Sequence, residues 1–207
     1  MSALFERIAA VPPLSEEDRA RAEHYAVISG LFAAAPDAAF LQRLPVLATT
    51  WGNTSNPLGQ SWLLLADAAR GIDTDTLEDE YTRLFLTIGK PEVMLYGSFH
   101  IAGFLMEEPL VELRHDLAEL GLGRRAGISE SEDHIAALAD VMRHLILTGP
   151  DAAGLQRQKL FFEKHLAPWY EALADALDRA PESRFYARTA PLLRAFFAVE
   201  RLAFDMV

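Results

Sequence analysis

The sequence predicts an all-α fold, a single-domain helical bundle of about eight to nine helices spanning residues 1–207, and three observations carry that expectation. Apolar residues recur at helical spacing nearly from end to end. No run of four or more residues alternates convincingly with period two. Ser, Asp, Gly and Pro stand where helices would start and stop. At 207 residues the chain can bury a sizeable core, and 51% hydrophobic with 24% charged residues is ordinary for a globular protein. No internal repeat is visible.

Taken in order, Ser15-Glu16-Glu17-Asp18 reads as an N-cap and first-turn acids, ahead of helical spacing from Ala22 to Ala35. Asp37 caps a second helix, which Pro45 kinks or ends. Trp51 to Gly59 is rich in Asn, Gly and Pro and reads as a loop. A helix from about Leu58 to Arg70 then stops at Gly71. Asp73 or Thr74 opens the next, through Tyr81, Leu84 and Phe85 to about Thr87. Gly89 to Gly97 reads as an exposed connection, and Phe99 to Met106 is apolar but short.

Pro109 fits the first turn of a helix reaching Leu120. Gly121, Gly123 and Gly127 punctuate a linker, so a hinge is expected at 121–129. Ile135, Leu138, Val141, Met142, Leu145 and Ile146 form a one-face stripe, ended by Gly149-Pro150. Leu155 to Arg179 reads as one long helix, kinked by Pro168, with Leu160, Phe161, Leu166, Trp169, Leu173 and Leu177 inward. A last helix lies within Phe185 to Phe204, with Leu192, Leu193, Phe196, Phe197 and Phe204 on one side.

The formal net charge of −11 repels a phosphate backbone and anionic membrane surfaces at long range and attracts basic peptides or basic protein patches. The chain has no cysteine, which excludes disulfides, zinc–thiolate sites and thiol catalysis. No apolar run approaches the roughly 20 residues that cross a bilayer, and Met1 to Val11 lacks the pattern of a signal peptide. A cytoplasmic protein without nucleic acid or membrane insertion is the expectation.

Glu130-Ser131-Glu132-Asp133-His134 is the most informative stretch. It places three carboxylates and an imidazole at an expected helix start, more acid than a cap requires. Together they make an anionic site suited to a guanidinium or ammonium group. His134 has two readings: it orients the turn against a neighbouring carboxylate, or it touches a ligand. Elsewhere, Glu112-Leu113-Arg114-His115 has the Glu-x-x-His spacing of di-iron bundles, but such a site needs two units and no second exists. Gly121 to Gly127 misses the dinucleotide-loop spacing by one residue and follows a helix rather than a strand. No nucleophile elbow, Walker loop or zinc-protease motif is present. Glu80 and Arg83 read as an i, i+3 ion pair on an amphipathic helix.

Read in order, the motifs are Glu80-Tyr81-x-Arg83-Leu84-Phe85, Leu95-Tyr96-Gly97-Ser98-Phe99, Gly121-Leu122, Glu130 to Ile135, Phe161-x-x-x-His165-Leu166-x-x-Trp169 and Phe185-Tyr186. This succession, over roughly residues 77 to 204, resembles the TorD/DmsD/NarJ family of redox-enzyme maturation chaperones. The resemblance implies a TorD-like helical fold without catalytic turnover. It also implies binding to a molybdopterin oxidoreductase catalytic subunit, through its twin-arginine leader or its body, until the client's cofactor is inserted. The implied peptide-binding residues are Tyr81, Leu84 and Phe85 as an apolar floor, with Ser98, Glu130, Glu132, Asp133 and His134. No catalytic residue, metal or cofactor is implied for the chaperone itself. The family's proline is Ser131 here; proline presets φ at an early helical position, where serine can cap instead.

Two other readings stay open from the residues alone. One is a helical metal-binding protein using Glu112, His115 and the 130–134 cluster; the other is an adaptor for an unrelated basic protein. A glycine hinge at 121–129 permits a monomer or a domain-swapped dimer.

Overall fold

The computed structural model describes residues 13–86, 91–124, 127 and 130–206; parts of the predicted hinge, residues 125, 126, 128 and 129, lie outside them. Among the described residues there are ten α-helices: α1 Glu16–Phe32, α2 Ala38–Trp51, α3 Pro57–Arg70, α4 Thr74–Phe85, α5 Gly97–Ala102, α6 Glu108–Glu119, α7 Ile135–Thr148, α8 Ala152–His165, α9 Tyr170–Arg179 and α10 Thr189–Asp205. A 3-10 turn, Tyr186–Arg188, leads into α10. The all-α expectation holds, with slightly more helices than the eight or nine expected.

Five helices start where a short polar side chain takes up a backbone N–H left without an intrahelical partner. Ser15 accepts from Asp18 N (3.0 Å), Asp37 from Phe40 N (2.8 Å), Asn56 from Gly59 N (2.8 Å), Asp73 from Thr76 N (2.9 Å) and Asp151 from Gly154 N (2.7 Å). Pro57 follows Asn56 as the first residue of α3, so the loop expected to run to Gly59 is shorter. Helix α6 ends in a Schellman pattern: Leu122 N donates to Leu117 O (2.8 Å) and Gly121 N to Ala118 O (3.0 Å). Gly121 sits at φ 71°, which favours glycine.

Two element boundaries and the facing of one residue differ from expectation. Pro45 neither ends α2 nor stops its packing, since Leu44 and Ala48 on either side are buried. The long helix expected from Leu155 to Arg179 breaks into α8 and α9 around Pro168, which has no N–H to continue the ladder. There the Trp169 indole N–H donates to His165 O at 2.7 Å, taking up a carbonyl near the end of α8. Leu160 is exposed rather than inward, because it lies roughly 200° round the helix from buried Gln158.

The core is built by α7 packed on α1, α2 on α3, and α10 on both α9 and α3, so early and late parts of the chain interleave. Two buried carboxylates tie it together. Glu200 of α10 is fully buried and receives Arg21 Nε (2.7 Å), Arg21 Nη2 (2.9 Å) and the Tyr25 hydroxyl (2.9 Å), all from α1. Glu80 of α4 is buried too, and does not serve as the ion-pair partner of Arg83. It accepts from the backbone N–H groups of Arg184 (2.9 Å), Phe185 (3.2 Å) and Tyr186 (2.9 Å), while Arg83 reaches Glu182. Glu80 thereby fixes the turn that feeds α10.

Candidate functional site

The site forms where the segment before α5 meets the segment before α7. Gly97 N donates to Asp133 O (3.0 Å), Ile135 N donates to Leu95 O (2.9 Å), and Tyr96 and His134 form an isolated antiparallel bridge. Two motifs far apart in sequence are thus laid side by side. Gly97 packs closely: a Cβ there would sit 3.0 Å from Trp169 Nε1, so the indole would have to shift to admit a side chain. Val93, Met94 and Leu95 are buried, so the latter part of the Gly89–Gly97 connection is not exposed; residues 87–90 lie outside the described ones.

This pairing sorts the predicted residues onto two sides. On one side, Tyr81, Phe85, Glu130 and His134 line a small concavity together with Met94 and Tyr96. Its volume is about 30 Å³. The Tyr96 hydroxyl donates to Glu130 Oε2 at 2.6 Å across it, and the Tyr96 ring meets His134 edge-on with centroids 5.2 Å apart. Tyr81 donates to Phe32 O (3.0 Å), and its ring lies 5.0 Å from that of Phe85. Burial, followed by the charge of Glu130, pushes the Tyr81 phenol up to about 12. Leu84 lies beneath in the core, fully buried, and does not line the concavity.

On the other side, Ser98 and Asp133 are both buried. Asp133 Oδ2 accepts from Ser98 N (2.9 Å) and Ser98 Oγ (2.6 Å), so it caps α5 rather than α7. The pair lines a second cavity of about 120 Å³. Glu132 turns to neither side: Arg114 Nη2 (2.9 Å) and Arg124 Nε (3.7 Å) hold it. The acids therefore precede α7 instead of opening it, and α7 has none in its first turn.

His134 caps α7, its Nδ1 accepting from Ala136 N at 3.1 Å, which leaves that nitrogen unprotonated. Burial lowers its proton affinity, against the pull of Glu130 and Asp133. The turn-orienting reading of His134 holds, and the imidazole also faces the concavity. Ser131, in place of the family proline, does not cap α7; its carbonyl accepts from His134 N (3.2 Å), three residues further along the chain.

Met94 and Tyr96 line the concavity without being among the residues the resemblance implies, although Tyr96 stands inside the Leu95-Tyr96-Gly97-Ser98-Phe99 motif. A second omission is the exposed apolar corner between α5 and α6. The closest grouping of metal-ligating side chains among the described residues is His115, Asp116 and Glu119 on α6. Glu112, expected beside His115, lies instead 3.9 Å from Lys164. Asp116 is engaged by Lys164 (2.8 Å) and His165 (2.7 Å). The 130–134 cluster does not join this grouping.

Fold and site together define a helical protein with an acid-mouthed, aromatic-floored cleft and no helix, among the described residues, long and apolar enough to cross a membrane. The model of the nitrate reductase delta subunit family matches residues 52–175, more than half of the chain. The chain belongs to that family, the TorD/DmsD/NarJ group that its motifs resemble. It is 26% identical over 137 residues to chaperone protein TorD of Vibrio cholerae serotype O1, covering 62% of each chain. It is 28% identical over 129 residues to chaperone protein TorD of Photobacterium profundum, covering 58% of this chain and 60% of that one. The chain therefore spans about three fifths of the length of these curated relatives. Its fold matches the crystal structure of a candidate redox enzyme maturation protein from Archaeoglobus fulgidus, with a TM-score of 0.58 at 22% identity, over 87% of this chain and 93% of the other.

Proposed function

We propose that this protein is a cytoplasmic maturation chaperone for a molybdopterin-containing oxidoreductase subunit. It binds the client's twin-arginine leader, its body, or both, and holds the client while the cofactor is inserted, before export or assembly. It carries out no catalytic turnover. The relatives named as TorD chaperones support this reading, and one observation carries it: an exposed carboxylate, Glu130, stands at the rim of a concavity floored by Tyr81 and Phe85.

A leader of this kind is an arginine pair followed by an apolar stretch, so its receptor needs a carboxylate beside apolar surface. A guanidinium offers Glu130 two parallel charge-assisted bonds in place of the single one from Tyr96. Releasing Tyr96 would widen a cavity that is otherwise too small for a side chain. The net charge of −11 steers the basic end of the leader toward the protein and makes association salt-sensitive. A monomer and a domain-swapped dimer both fit this function.

The test is titration of a synthetic twin-arginine leader into wild type and Glu130→Gln, with recovery of the client from cells as a companion measurement. Weaker binding by Glu130→Gln and co-purification of a molybdenum enzyme subunit are expected. Absence of any leader binding, together with recovery of no oxidoreductase, removes the proposal.

A further inference from the structure

We propose that the corner joining α5 to α6 is the docking surface for the apolar stretch of a twin-arginine leader. This rests on the leader-binding reading above and moves the leader's apolar contacts from the buried floor to an open face.

Residues 101–108 are all exposed, and they include Ile101, Phe104, Leu105 and Met106, with Phe104 at 71% and Met106 at 75%. Val111 extends the same apolar sequence into α6. Single exposed apolar residues are common; four within six positions mark a contact surface. One hydrogen bond fixes the backbone at Met106. Met106 is the one non-glycine among the described residues with positive φ (61°), and Gly103 nearby has φ 85°. Left-handed backbone is unfavourable for methionine and persists only where surrounding contacts enforce it. Here Met106 N donates to Ser98 Oγ (3.3 Å), and Ser98 is locked onto Asp133.

Below the corner lies the 120 Å³ cavity, lined by Ile101, Pro109 and Glu112 as well as Ser98 and Asp133. Asp133 is only 4% exposed, yet its Oδ1 meets no hydrogen-bond donor among the described residues. A buried carboxylate oxygen without a donor suits an incoming N–H group. The corner itself is acidic: Glu107 and Glu108 are exposed within it, and Glu92 and Glu112 flank it in sequence, Glu112 lying 3.9 Å from Lys164. The cation at the cavity, Lys164 from α8, is paired with Asp116. Burial lowers the proton affinity of His100, against the pull of the Met94 carbonyl that its ring nitrogen meets at 2.7 Å. An apolar surface edged by carboxylates complements a peptide that is basic and then apolar.

The experiment uses the full chain and a fluorescent synthetic leader with an arginine pair and an apolar stretch that carries a photo-crosslinker. Binding by wild type is compared with Phe104→Ser/Met106→Asn, both exposed positions, asparagine being chosen because it tolerates positive φ. The double variant should retain the wild-type melting profile, bind about tenfold more weakly or worse, and lose crosslinks within 101–111 that wild type gives. If wild type binds the leader and the double variant binds it equally, with crosslinks confined to 81–96, the corner is overturned and the leader reading survives. If wild type binds no leader, both fall. A concentration-dependent dimer of wild type, abolished in the double variant with leader affinity unchanged, assigns the corner to self-association and overturns its role in leader docking.

Discussion

Asp133 holds Ser98 twice through one oxygen, at 2.9 Å from the backbone nitrogen and 2.6 Å from the hydroxyl. The acid that the family resemblance marks for peptide contact thus also ties α5 to the turn before α7. Asp133→Asn keeps the shape but removes the charge. It should lose about 1.5–3 kcal/mol of stability in urea denaturation and speed hydrogen exchange at the amides of Ser98 and Met106. Unchanged stability and exchange, with leader affinity reduced, would assign Asp133 to direct contact instead.

Glu80 caps three consecutive backbone N–H groups across more than 100 residues of chain. Glu80→Ala leaves all three buried or half-buried donors without their acceptor. We expect a loss of about 3 kcal/mol or more, and a smaller loss for Glu80→Gln, which retains one acceptor oxygen. A thermal melt of the two variants checks the order.

The Arg21–Glu200 pair joins α1 to α10 at a fully buried carboxylate. Glu200→Ala leaves the guanidinium with Asp18 as its carboxylate partner (3.0 Å) and the buried Tyr25 hydroxyl without its acceptor, and about 3 kcal/mol should be lost in denaturant titration. An apolar double replacement, Arg21→Met with Glu200→Leu, should recover much of it, since neither charge is then left alone. If the double replacement is no more stable than Glu200→Ala, the carboxylate matters for more than its partner.

Burial lowers the proton affinity of His24, His100, His134 and His165 below the ordinary 6.5. Between the folded and unfolded values the unfolded chain binds more protons, so stability rises with pH there. It should be fully present above about 6.5 and decline as pH falls below that value. His24 shows the cause: its Nδ1 lies 2.7 Å from Ala20 O and its Nε2 accepts from the Trp62 indole (3.0 Å), leaving no place for a second proton. The urea midpoint at pH 5.5 should lie below that at pH 7.5, and His24→Gln should narrow the gap. A midpoint that holds or rises on acidification contradicts this.

The sequence by itself determined what depends on near neighbours. Ser15, Asp37 and Asp73 announced their caps because donor and acceptor stand three residues apart, and the α7 stripe followed from 3.6-residue periodicity. The ordered motifs carried the resemblance to the family. Only tertiary structure decided which side of the 94–98 segment each acid occupies. Glu130 and Asp133 are three residues apart, yet one meets Tyr96 at a rim and the other Ser98 in the interior. It also decided that Glu80 and Glu200 are buried, because their partners lie 104–106 and 175–179 residues away. A carboxylate on an amphipathic helix looks alike in sequence whether it faces water or a distant turn. The difference arises when that turn is folded against it and its unpaired N–H groups need an acceptor.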